Sequence, residues 1–393
     1  MSTPALATSH EPTHAAHDPL APVFAQYPLE VVRGEGVWLI AADGRRVLDL
    51  YGGHAVAALG YGHPAWTKAL ADQARDVNFQ SNAVPMDVRL RAARKLVAFS
   101  KLPVESVFFV NSGAEANENA LKMAFKLNPG RTEVVALEQS FHGRTAAAGA
   151  LTWGAAKKWY GFPRTPFDVK FLSRTELAAL SGITAHTAAV IVEPIQGVGG
   201  AFDLGAAFLE ALRQRCDETG AVLIFDEVQC GFGRCGEPFA ANLYGVLPDM
   251  ITSAKALGNG FPCSALLMMK KAADAVQLDA LGTTFGGGPM AGAAIEACID
   301  AIENDGLLEN VRRVSAYIRK TCIVGPITGH QGAGFLTGLI SRVPAVQLQK
   351  ALLAEHNILT GTSGDPNVLR LLPPFTLKEA EVDLLAAALK RLG

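Results

Sequence analysis

Two acidic residues close one apolar run of this chain, and a lysine closes another. Leu223-Ile224-Phe225 leads into Asp226-Glu227-Val228-Gln229, and Asp249-Met250-Ile251-Thr252-Ser253-Ala254 leads into Lys255, just before a Gly258-Asn259-Gly260 turn. Short apolar runs of this kind read as buried strands, and open α/β sheets bind ligands at the carboxyl ends of their strands. The spacing therefore sets a carboxylate and a lysine, 29 residues apart, at one edge of one sheet. Pyridoxal phosphate chemistry requires that pair. Lys255 would form a Schiff base with the aldehyde, and Asp226 would keep the pyridine nitrogen protonated so that the ring accepts carbanion electrons. Taken singly, the two features also fit a Walker-B strand and a solvated lysine.

A phosphate needs its own grip. Val107-Phe108-Phe109-Val110 runs into Asn111-Ser112-Gly113-Ala114-Glu115-Ala116-Asn117-Glu118, a Ser-Gly at the start of a helical run. Such a start offers backbone N–H groups, a hydroxyl and the positive end of the helix dipole to an anion, although an ordinary serine N-cap looks the same. Gly282-Thr283-Thr284-Phe285-Gly286-Gly287-Gly288-Pro289 suits either phosphate or a hinge. Nucleotide hydrolysis is excluded, because a P-loop needs Gly-Lys and the chain contains no such dipeptide. Gly197-Val198-Gly199 and Gly258-Asn259-Gly260 lack the third glycine of a dinucleotide fingerprint.

The elements that must position these residues alternate. Val107–Val110, Val134–Leu137, Ala188–Val192 and Val222–Phe225 read as strands separated by helical segments, with a helix near 206–218, which predicts a mostly parallel sheet. Val37–Ile40 and Val47–Leu50 read as a hairpin about Asp43-Gly44, followed by a helix over 64–74. Beyond Pro289 the chain predicts a helix to about Asn304, an amphipathic helix to about Lys320, a glycine-rich strand region over 329–340 and a last helix after Thr376. With 393 residues, 49% of them hydrophobic, one large and one smaller domain are expected. The divisions are 1–18 as a disordered tail, 19–55 as an N-terminal part of the small domain, 56–288 as the large domain, and 289–393 as the rest of the small domain.

Charge and cysteines narrow the class further. A net charge of −2 gives no basic stripe for nucleic acid, and no run of eighteen apolar residues suggests a membrane span. The first eighteen residues lack the pattern of a secretory signal, and six scattered cysteines read as reduced thiols, so a cytoplasmic enzyme is expected. Cys230 and Cys235 lack a partner set with zinc spacing, and His10, His14 and His17 read as part of a solvated tail, so no metal is expected.

The ordered motifs as a set resemble a known family. Asn111 to Glu118, Ser140-Phe141-His142-Gly143-Arg144-Thr145, Val192-Glu193-Pro194-Ile195-Gln196-Gly197, Asp226 to Gln229, Lys255 and Thr284-Phe285-Gly286-Gly287 stand in the order and spacing of class III aminotransferases, nearest the acetylornithine aminotransferases. The resemblance spans about Tyr27 to Leu392. It implies an α/β fold of the fold-type I pyridoxal phosphate-dependent transferases, a large mostly parallel-sheet domain with a smaller α+β domain, and a homodimer that shares its active sites. It implies Lys255 as the catalytic lysine and proton shuttle and Asp226 as the partner of the pyridinium nitrogen. Val228 and Phe141 would sandwich the ring, and Gln229 would bond its phenolic oxygen. Ser112, Gly113 and Ala114 would hold the phosphate, with Thr284 reaching in from a second subunit. Arg144 and Arg370 would bind substrate carboxylates, as guanidinium forks do. Glu193 is given no chemical role.

Departures from the family pattern bear on substrate. Val198 replaces the glutamate that shields the C-terminal arginine in ornithine and 4-aminobutyrate aminotransferases, which leaves Arg370 available to carboxylates in both half-reactions. Gly53 replaces a bulky tyrosine of ornithine aminotransferase and leaves room for an N-acyl group. Cys230, Cys235 and Gly288 replace the usual Thr, Thr and Asn. The expected reaction moves the ω-amino group of N-acetylornithine, or a similar N-acylated diamino acid, to 2-oxoglutarate. The alternatives are ornithine, N-succinylornithine, carrier-linked lysine or 4-aminobutyrate as donor, and a fold-type I mutase or epimerase.

Overall fold

Seven strands build the central sheet of the computed structural model, which describes residues 20–393. They are β1 (Val104–Val110), β2 (Glu133–Leu137), β3 (Asp168–Leu172), β4 (Thr187–Val192), β5 (Val222–Asp226), β6 (Met250–Ser253) and β7 (Ser264–Met269). Their order in space is β1-β7-β6-β5-β4-β2-β3. β5 runs parallel to β6 and β4, and β2 runs parallel to β4 and β3. β7 alone runs antiparallel to its neighbours, β6 and β1. The carboxyl ends of β1, β2, β5 and β6 therefore share one edge. Two of these strands, β3 and β7, were not among those expected from the sequence.

Helices cover both faces, which explains why the strands are continuously apolar instead of alternating. Val222 and Ile224 pack with Ala120, Leu121 and Ala124 of the helix Gly113–Leu127 in one core cluster. Leu223 and Phe225 point the other way and join Phe208, Leu209 and Leu212 of the helix Ala206–Thr219 in another. Successive side chains of one strand thus feed two cores.

The chain ends meet beside this sheet. The hairpin strands Trp38–Ala41 and Arg46–Asp49 pair antiparallel, and Ile358–Leu359 from the far end of the chain adds on parallel to Arg46–Asp49. Ile327–Ala333, Leu336–Ser341 and Val368–Leu371 form a separate antiparallel sheet that carries Arg370. The helix Pro289–Asn304 starts with proline in its first turn and packs on Pro64–Asp76 and Asp87–Ser100, where Arg91 pairs with Glu296 at 3.0 Å. Among the described residues no helix is long and apolar enough to cross a membrane. All six cysteines are unpaired and buried. The expected tail and His10, His14 and His17 lie outside the described residues.

Candidate active site

β5 ends on a buried carboxylate whose partners were not anticipated. Asp226 Oδ2 accepts hydrogen bonds from Asn117 Nδ2 at 2.8 Å and pairs with His142 Nδ1 at 2.8 Å, while Oδ1 accepts from the Val228 N–H. Asn117 comes from the helix Gly113–Leu127 and also donates to the His142 carbonyl; its own carbonyl accepts from Thr252 on β6. Three segments thus meet on one carboxylate, with β6 bracing Asn117, and Asp226 is only 3% exposed. The charge is tolerable there because every oxygen is hydrogen-bonded. Asp226, Asn117 and His142 line one cavity with Lys255.

Lys255 begins the short turn after β6 with a φ of 47°, in the left-handed region. Burial lowers its pKa below the ordinary lysine range; Asp226 and Glu193 oppose that shift and Arg370 adds to it. A larger fraction of the amine is therefore neutral than in water. Glu193 sits in the same wall. Its carboxylate accepts from the Phe141 and Gly197 N–H groups, and burial, with repulsion from Asp226, raises its pKa to about 7. Glu193 is thus a cavity carboxyl poised to change charge near neutral pH, a property its place in the sequence did not reveal.

The helix start after β1 forms a cup. Ser112 is an N-cap with a capping box: its hydroxyl accepts from Glu115 N, and the Glu115 carboxylate accepts from Ser112 N. Capping uses the Ser112 oxygen as an acceptor and leaves its O–H to donate, while the first N–H groups of a helix have no partner within the helix. Ser112, Gly113 and Ala114 all line the cavity. A Cβ on residue 113 would lie 2.8 Å from both Val228 methyls, so glycine is what allows Val228 to press against the cup. Val228 and Phe141 both line the same space. The lining fits a flat ring bearing a phosphate, since helix-start donors, apolar side chains, a carboxylate and an amine all border one cavity.

Two arginines complete the arrangement at different depths. The Arg144 guanidinium lies 4.6 Å from the Trp159 ring centroid and 5.9 Å from that of Phe141, at the rim of the cavity. Arg370 is buried. Its Nε donates to the Thr362 carbonyl at 2.6 Å, and Nη1 donates to the Gly197 carbonyl at 2.9 Å and to Gln229 Oε1 at 3.3 Å. None of these acceptors is a carboxylate, and Val198 lines the cavity beside them. A Cβ on residue 197 would fall 1.7 Å from Gln229 Oε1, so Gln229 reaches Arg370 only because residue 197 is glycine. With Oε1 engaged, Gln229 keeps its Nε2 donors for a ligand.

Arg370, Gly53 and Thr284 are not among the cavity-lining residues. Gly53 is exposed, with nothing within 4 Å of where its Cβ would be. Thr284 is exposed on a loop tied down by Asn82, which donates to the Thr283 and Gly286 carbonyls. A glycine pattern was also missed: Gly231-Phe232-Gly233-Arg234-Cys235-Gly236 has G-x-G-x-x-G spacing. It forms turns after Asp226 rather than a strand-to-helix junction, with Gly231 N donating to the Glu227 carbonyl, so it is no dinucleotide site. Asn117 could have been suspected as an amide among Ala116, Ala120 and Ala124 on the buried side of its helix, since a buried amide needs partners.

Comparison with known proteins gives a consistent result. The family described as aminotransferase class-III matches residues 21–392. The acetylornithine aminotransferase 1 of Bradyrhizobium diazoefficiens is 41% identical, over 96% of this chain and 95% of that one. Among solved structures, the ornithine aminotransferase of Toxoplasma gondii superposes with a TM-score of 0.88 at 25% identity, over 95% of this chain and 92% of that one. The acetylornithine aminotransferase of Elizabethkingia anophelis gives a TM-score of 0.83 at 27% identity, over 95% of each chain.

Proposed function

We propose, from the premise that this chain belongs to the class-III aminotransferases, that it uses pyridoxal phosphate to move the ω-amino group of N-acetylornithine to 2-oxoglutarate, giving glutamate and a semialdehyde. The observation that carries the reading is the convergence of Asn117 and His142 on Asp226 in the cavity that Lys255 lines. The identity to acetylornithine aminotransferases supports the choice of donor. Pyridoxal phosphate, when bound, supplies an aldehyde that takes up the amino group and a ring that accepts the electron pair left on the substrate carbon.

This chain's own residues would do the rest. Ser112 and the N–H groups of Gly113 and Ala114 would bind the phosphate, while Val228 and Phe141 would flank the ring. Asp226, oriented by Asn117 and His142, would hold a proton on the pyridine nitrogen. Lys255, with its lowered pKa, would be neutral often enough to take a proton from the substrate carbon and return it. Gln229 would donate from Nε2 to the phenolic oxygen. Arg144 and Arg370 would bind carboxylates, with Arg370 Nη2 outside the three bonds that fix the side chain.

The proposal extends to a cytoplasmic homodimer, its small domain formed by 19–55 and 289–393 over a large domain of 56–288. Support comes from the exposed Thr284, from Phe285 at 65% exposure beside it, from the joint sheet of Arg46–Asp49 with Ile358–Leu359, and from six unpaired thiols. Sedimentation of the cofactor-loaded protein as a monomer would overturn the dimer. For the activity, glutamate release from 2-oxoglutarate is measured with N-acetylornithine, N-succinylornithine, ornithine and 4-aminobutyrate. N-acetylornithine is expected to give the highest kcat/KM; a higher value with ornithine, or no glutamate from any donor, would contradict the reading.

A further inference from the structure

Arg234 heads the fully buried side chains of the described residues, and Asp49 is the charged group that opposes the effect of its burial. A guanidinium in that position is costly unless its donors are satisfied. Nη1 donates to the Pro373 carbonyl, Nη2 donates to the Ala55 carbonyl at 3.2 Å, and Cζ lies 4.6 Å from the centroid of the Phe375 ring. Nε has no partner. Burial lowers the Arg234 pKa to about 9, which still leaves it charged at neutral pH.

The two carbonyls belong to segments that border the site. Pro373 lies three residues beyond Arg370 on the exit from the strand Val368–Leu371. Ala55 closes a turn in which Gly52, Gly53, His54 and Ala55 have φ of 55°, 56°, 64° and 68°. Two of these are not glycine, so the left-handed turn is strained and needs an external hold. Asp49 supplies part of it by accepting from the N–H groups of Tyr51 and Gly52. The strand exit is stitched to the same stretch, with Leu372 N donating to the Leu50 carbonyl and Phe375 N donating to the Ala58 carbonyl. The turn borders the site, since Val56, the residue directly after it, lines the cavity with Lys255. On its other side Arg234 is anchored in the loop after Asp226, where its N–H donates to the Gly231 carbonyl and its carbonyl accepts from Phe335.

We propose that Arg234 is a positioning residue: its fork clamps the Gly52–Ala55 turn and the Leu372–Phe375 segment onto the loop that follows Asp226, and so sets where Arg370 stands relative to Lys255. The inference rests on the reading of Arg370 as a carboxylate-binding arginine.

Arg234→Lys is the informative change, because a lysine keeps the charge but is a point donor that cannot span both carbonyls in a fixed fork. The cofactor-loaded variant is titrated with glutarate by calorimetry and assayed with 2-oxoglutarate. The clamp predicts glutarate binding weakened by about tenfold and KM for 2-oxoglutarate raised by about the same factor, with kcat within about threefold and the visible band retained. Glutarate affinity and KM both within about twofold of wild type, or a fall in kcat at constant KM, would overturn it. Arg370→Ala separates the two readings. If it weakens glutarate and Arg234→Lys does not, the clamp alone is wrong; if it does not weaken glutarate, the assignment of Arg370 fails and the clamp falls with it. Should Arg234→Lys not fold, Phe375→Leu removes only the ring under the guanidinium and is expected to weaken glutarate by about threefold, unchanged affinity again counting against the clamp.

Discussion

Asp226 concentrates the residue-scale account. Asn117, His142 and the Val228 N–H hydrogen-bond its two oxygens and hold them in place. Replacing it with asparagine keeps the shape and removes the charge. Asp226→Asn is therefore expected to leave the circular dichroism spectrum and the melting temperature close to wild type. Because the amide cannot balance a proton on the pyridine nitrogen, proton abstraction should slow by roughly a hundredfold or more, ~2.7 kcal/mol in barrier. Single-turnover kinetics with the amino donor read that step, and a rate within about tenfold of wild type would assign the carboxylate another job. The Asp226 and Lys255 positions were legible because an apolar run followed by a polar residue marks a strand end. The partners were not: which amide and which imidazole meet Asp226 is decided by packing between residues 84 and 109 positions apart.

At the scale of elements, the cup before the helix Gly113–Leu127 and the turn after β5 are one unit, since Val228 presses on Gly113. A methyl group at 113 would have to push Val228 out of the ring's flank or the helix out of line. Gly113→Ala is expected to cost about 1–3 kcal/mol of stability by overpacking and to weaken cofactor retention. Thermal unfolding and reconstitution of the cofactor-free protein check the two effects; unchanged affinity and melting would mean the contact yields freely. The same elements show what a sequence hides. Val222–Asp226 and Thr187–Val192 are buried on both faces and read plainly as apolar runs. β3, Asp168–Leu172, is an edge strand of mostly half-buried residues, and its alternation of Asp168, Val169, Lys170 and Phe171 is too short to stand out beside the continuous apolar runs. β7 follows Pro262 and a glycine turn so closely that its run reads as part of the loop. Ser112 had two readings, cap and phosphate donor, and the structure gives it the capping geometry while leaving its O–H to donate.

Across the whole molecule, the proposed site draws on segments from both ends of the chain. The loops after β1, β5 and β6 come from the central sheet, Arg370 from the C-terminal sheet, and the Gly52–Ala55 turn from the N-terminal stretch. Composition could bound the size and class of such a protein but could not show that residues 50 and 372 are hydrogen-bonded neighbours. Every proposed role requires that the cavity at this sheet edge hold pyridoxal phosphate on Lys255. The direct measurement is borohydride reduction of the cofactor-loaded protein followed by peptide mapping. The predicted result is loss of the visible band with one pyridoxyl group per chain, on Lys255, and no label in Lys255→Ala. A label on any other lysine, or a protein that takes up no cofactor, would contradict it.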